Sequence, residues 1–151
     1  MSTSLAVPFK NVDSRVSAQI HAIRNIDFSQ EKRYMVNKQK VNHETAERLE
    51  EEFKRFLILC AVHRDSFPIS KPVDEFWHVA LLDSEKYARM EKDVGRRFIH
   101  RMTLSDEDDQ KLLPLYYERT LPRYSQAFGE PANDMWPPNQ CVCTCCDCIE
   151  A

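Results

Sequence analysis

The segment from 43 to 62, HETAERLEEEFKRFLILCAV, constrains this chain more than any other. Ala46, Leu49, Phe53, Phe56, Leu57 and Cys60 recur at three- and four-residue steps, which lays an apolar stripe along one side of an α-helix. Asn42 can cap its first turn, and Glu44 stands where a carboxylate meets the positive end of the helix dipole. This predicts a central core helix. Its other side, Glu47, Arg48, Glu50, Glu51, Lys54 and Arg55, reads as a solvated charged face, and Cys60 as a small core hydrophobe.

A long amphipathic helix needs other apolar faces to bury it, and the flanking sequence supplies them. Asp13 or Ser14 can cap a helix to about Asn25 that presents Val16, Ile20 and Ile23. A second, at about 30 to 38, turns Tyr34 and Met35 inward. After a loop from His63 to Lys71, Pro72 suits the first turn of a fourth helix with Val73, Phe76, Trp77, Ala80 and Leu81 on its buried side. Ser84 can cap a fifth, 85 to 94, whose inward residues are Tyr87, Met90 and Val94 and whose terminator is Gly95. Ser105 and the acidic run Asp106 to Asp109 open a sixth with Leu112, Leu113, Leu115, Tyr116 and Tyr117, which Pro114 can split or kink. A short helix from Pro122 to Phe128 stops at Gly129, and Met135 and Trp136 dock a proline-rich strap.

With 151 residues, two Gly, eight Pro, 42% hydrophobic and 30% charged residues, the expected fold class is all-α. The expectation is a single compact multi-helix domain over 1–138, followed by an irregular cysteine-rich tail over 139–151. A net charge of −3 and a pI near 6.0 give no general field for nucleic acid. The basic loop from Gly95 to Arg101 has too few arginines and aromatics to change that. No apolar run approaches the ~20 residues of a membrane span, and the N-terminus lacks the basic start and apolar stretch of a secretion signal. A cytoplasmic protein without a membrane partner is expected.

Two constellations can carry chemistry. Asp74 and His78 are four apart, hence in contact on one helix face, and His100 can swing back to them after the turn at Gly95. Two imidazoles and a carboxylate are the minimum for a zinc or non-haem iron site with open positions. Asp74 can instead orient His78 by a hydrogen bond, and the plainest reading has Asp74 capping the helix while His78 bonds a backbone group. The second constellation is Cys141, Cys143, Cys145, Cys146 and Cys148, five of the six cysteines. Thiolates so dense in one short segment match soft-metal ligation by zinc or copper, and the adjacent pair Cys145 and Cys146 argues against a disulfide staple. There is no glycine-rich phosphate loop and no Gly-x-Ser-x-Gly elbow, so no nucleotide cofactor is expected.

The pattern FKRFLILC, then PVDEFWHVALLDSEKY, then GRRFIHR resembles the glycine-rich domain-containing protein-like family, over about residues 52–101. Its core is Val73-Asp74-x-x-Trp77-His78 followed by Leu82-Asp83-x-x-x-Tyr87. The family often carries further imidazoles where Ala80 and Arg101 stand here, and the glycine-rich tail that names it is replaced by the cysteines. The resemblance implies a helical domain and no particular reaction. The leading functional expectation is therefore a non-enzymatic metal-handling or protein-interaction module with a Cu/Zn thiolate tail and a protein partner. The alternatives are a folded leader whose cysteine-rich peptide is modified after translation, and a metal-dependent enzyme built on Asp74, His78 and His100.

Overall fold

The computed structural model describes residues 12–97, 106–144, 147 and 148. Among the described residues there are seven α-helices: α1 (Ser14–Arg24), α2 (Ser29–Lys38), α3 (His43–Val62), α4 (Lys71–Ala80), α5 (Ser84–Val94), α6 (Asp106–Leu115) and α7 (Leu121–Phe128). A π-helical turn, Tyr116–Thr120, joins α6 to α7. Among the described residues, strands are confined to two short antiparallel ribbons, β1 (Pro68–Ser70) with β3 (Cys141–Thr144) and β2 (Arg96–Arg97) with β4 (Asp147–Cys148). The fold is all-α in class.

α3 is the core helix that its periodicity predicts, with the Asn42 side chain accepting from the Thr45 N–H at 2.7 Å. From Phe56 to Ala61 every residue is buried, because α1, α2, α4, α5 and α7 all pack around it. Phe53 meets Phe28 and Phe76, and Phe56 meets Phe67, Trp77 and Trp136, at ring separations of 5.4 to 6.2 Å. These edge-on and tilted contacts suit the aromatic quadrupole and fill the centre.

The charged face of α3 is less solvated than its composition predicts. Lys54 is buried, donating to the Arg24 carbonyl at 3.0 Å and lying over the Phe28 ring, and burial lowers its pKa. From the opposite element Lys86 also lies over Phe28 while pairing with buried Glu31 at 2.8 Å. Two ammonium groups thus clamp the turn between α1 and α2. Tyr34, expected inward, is 39% exposed; only Met35 of that pair is buried.

Local signals set most boundaries. Asp83, not Ser84, caps α5 by accepting from the Lys86 N–H at 3.1 Å. Tyr117 is exposed while Tyr116 and Thr120 are fully buried. Pro114 does not end the helix: the chain continues to Phe128 through the wider turn, closed by the Leu121 N–H on the Tyr116 carbonyl. Pro122 lacks an N–H and its ring crowds the carbonyl four residues back, and the π turn just before it relieves both problems.

Gly95 ends α5 at φ 76°, and a Cβ there would run into the Gln19 amide. Gly95→Ala is expected to destabilise the protein by about 1–2 kcal/mol, the usual penalty for an L-residue in the left-handed region. An unchanged denaturation midpoint would contradict this reading of the cap.

Candidate functional site

The segment from Ser66 to His78 is where the chain's candidate functional residues meet. Ser70 caps α4: its Oγ accepts from the Val73 N–H at 3.3 Å and donates to the Met135 carbonyl at 2.7 Å. Asp74 is therefore not the cap, which corrects the plainest reading of the sequence. Its side chain is 6% exposed and sits 3.2 Å from Nε2 of His78, whose own side chain is 47% exposed. A buried carboxylate beside a half-exposed imidazole fixes the ring's orientation. One turn away, the Trp77 indole N–H donates to the Tyr87 hydroxyl at 2.8 Å, joining α4 to α5 from within the core. His100, the third member of the predicted set, lies outside the described residues. Among the described residues, no three His, Cys, Asp or Glu side chains gather into a metal-holding group.

Of the cysteine segment, the first four residues, Cys141–Thr144, are described as a strand against the body. Its backbone pairs with β1, Ser70 opposite Cys141, Ile69 opposite Val142 and Pro68 opposite Thr144, with an irregularity between Pro68 and Ile69. The Lys71 N–H donates to the Gln140 carbonyl at 3.0 Å at the head of this ribbon. Further on, Cys148 stands opposite Arg96 and Asp147 opposite Arg97. Cys141 is 4% exposed, so this thiol is packed against the body instead of carried in solvent. The side chains of Cys143 and Cys148, and all of Cys145 and Cys146, lie outside the described residues.

The helical body grips β1 at Pro68 and the segments that lead into both strands of the first ribbon. Thr120 donates to the Pro68 carbonyl at 2.7 Å, Arg119 to the Ser66 carbonyl at 2.7 Å, and Tyr116 to the Pro137 carbonyl at 2.9 Å. All three side chains come from the π turn. Burial, with Cys141 nearby, pushes the Tyr116 hydroxyl well above its ordinary pKa, so it stays a proton donor. Asp65 anchors the loop before β1 through a two-pronged pair with Arg123, at 2.6 and 2.9 Å, with Arg119 at 3.6 Å.

Behind the strap lies a buried polar network that the sequence reading missed. Glu52 Oε1 accepts from the Tyr124 hydroxyl at 2.5 Å and the Trp136 indole N–H at 3.0 Å, and Arg55 lies 3.4 Å away. Arg55 also donates to the Tyr124 oxygen and stacks over the Tyr124 and Phe128 rings. Burial and the Glu52 charge together push the Tyr124 pKa up. The signal was present: Glu52 is three residues after Leu49 and four before Phe56, hence on the apolar stripe. Glu31, four before Met35, carries the same signal.

No protein-family model, no curated protein and no solved structure matches the chain.

Tyr124→Phe takes one donor from the buried Glu52 and one acceptor from Arg55, which keeps only its longer contacts to Glu51 and Glu52, and is expected to destabilise by about 1–3 kcal/mol. A melt that superimposes on the native one would contradict the network's role. The Arg123 pairing holds the Asp65 pKa below the ordinary carboxylate value. That contribution is therefore complete above the unfolded-state pKa near 3.9 and is lost as pH falls through the lower folded value. Asp65→Asn is expected to flatten the acid limb of the stability profile; an identical limb in both proteins would contradict it.

Proposed function

We propose that this protein is a non-enzymatic metal-handling module in which a folded helical body presents a soft thiolate segment to zinc or copper. The observation that supports it is the backbone docking of the cysteine segment, at β1 on one side and at β2 on the other. A free peptide must give up its own conformational freedom to surround an ion. A segment already pinned at both ends gives up less and binds tighter, because ligand gathering and chain ordering are coupled. Thiolates select soft ions over the hard cations that carboxylates and carbonyls prefer.

We also infer kinship with the glycine-rich domain-containing protein-like family. The motif residues that carry the resemblance have architectural tasks here that support it: Trp77 bonds Tyr87, Asp83 caps α5 and Gly95 ends it. In this reading the motif builds the α4–α5 hairpin, and Asp74 steadies His78 on its outer side.

The test is competition of the reduced, full-length protein with a chromophoric chelator for Zn(II) and for Cu(I). The native chain is expected to withdraw metal from the chelator, and a variant with Cys143, Cys145, Cys146 and Cys148 all changed to Ser is expected not to. His78→Ala should leave the titration unchanged. Equal titrations for the native and four-serine proteins would overturn the proposal.

A further inference from the structure

A groove runs along the seam between α2 and α4. At one end is a cleft of about 660 Å³ with Met35, Leu49 and Met135 among its lining residues and Glu75 on its edge. At the other is a smaller hollow of about 180 Å³ bordered by Tyr34, Val79, Leu82 and Asp83. The pairing of Met35 and Gln39 with Pro72 and Glu75, and of Gln30 and Tyr34 with Val79 and Leu82, shows that α2 and α4 run antiparallel. The two hollows are therefore successive stretches of one seam.

Two features set this seam apart from ordinary surface. Tyr34 and Leu82, at 39% and 65% exposure, are two of the three large apolar side chains left open among the described residues. Both border the same hollow, and grouped exposure of this kind marks an interaction surface where scattered exposure does not. The second feature is charge. Arg48, the one basic side chain lining either hollow, is neutralised by Asp134 in a two-pronged pair at 2.5 and 2.8 Å. Glu31 is neutralised by Lys86. Glu75 is exposed and makes no ion pair among the described residues, and Asp83 adds a second carboxylate at the far end. An apolar floor with unneutralised carboxylates along its edge complements a cationic amphipathic segment.

We propose that the α2–α4 groove is a docking site for a cationic amphipathic helix of a protein partner. The seven residue steps from Glu75 to Leu82, along α4 and the turn that follows it, span about 10 Å, so the groove matches anchors at i, i+3 or i+4, and i+7 on the incoming segment. Val79, Tyr34 and Leu82 receive the apolar anchors, and Glu75 receives a Lys or Arg. The flexible thioethers of Met35 and Met135 suit a floor that adapts to the occupant. No described cysteine lines either hollow, so this proposal does not rest on metal binding.

The test uses two labelled fourteen-residue helical peptides, one with Leu at i, i+3, i+4 and i+7 and Lys elsewhere, the other with Glu in place of every Lys. Fluorescence polarisation with the full-length protein is expected to show saturable binding of the lysine peptide and none of the glutamate peptide. Glu75→Lys and Leu82→Ser should each weaken binding about tenfold or more, the equivalent of one lost anchor, while Tyr117→Ser at the third exposed apolar site should not. Equal binding of both peptides, no binding at all, or full binding by both groove variants would overturn the proposal. A concentration-dependent dimer abolished by Leu82→Ser would overturn it as well, because a second copy of the chain would then be the occupant.

Discussion

A single buried carboxylate ties this molecule together. Glu52 sits in the middle of α3, 7% exposed, and accepts from hydroxyl and indole donors that enter the sequence 72 and 84 residues later. A buried carboxylate is tolerable only where donors surround it, and removing one of them leaves it less compensated. That asymmetry makes the network a specification of where α7 and the strap lie. Tyr124 fixes the first against α3, and Trp136 fixes the second.

Everything downstream follows from the position of Trp136. With its indole held, Met135 and Pro137 present their carbonyls to Ser70 and Tyr116. The chain then reaches Gln140 in position to accept from Lys71 and to run antiparallel along β1. Ser70 is the joint of this arrangement, since one hydroxyl caps α4 and receives the strap. The cysteine segment, the strap and the Asp74–His78 helix are therefore anchored to the same few residues. The π turn adds the remaining grip, because it brings Tyr116, Arg119 and Thr120 to bear on the carbonyls of Pro137, Ser66 and Pro68.

The helices were legible in the sequence for a plain reason: apolar residues recur at helical spacing and good capping residues precede them. Asn42, Asp13 and Gly95 do what their chemistry predicts. The ribbons were not legible. A strand of three residues has no period to read, and Pro68-Ile69-Ser70 looks like the end of a loop until Cys141–Thr144 is laid beside it. Nor could periodicity distinguish Glu52 from Glu51, because a buried carboxylate declares itself only through distant donors. Asp74 and His78 were found by their four-residue spacing, but that spacing could not say that Ser70 would take the cap and leave Asp74 to the imidazole. Tyr34 was misjudged because tyrosine at helical spacing is usually core, whereas here its ring borders an open groove.

The central claim is that the cysteine segment is held against the helical body by a docked strap. Nuclear magnetic resonance of the reduced, metal-free full-length protein tests it most directly, by cross-strand contacts between residues that the register places opposite each other. The account predicts contacts of Ser70 with Cys141 and of Ile69 with Val142, and slowed amide exchange over 141–144. Random-coil shifts and free exchange through that stretch, with Trp136 still buried, would contradict it.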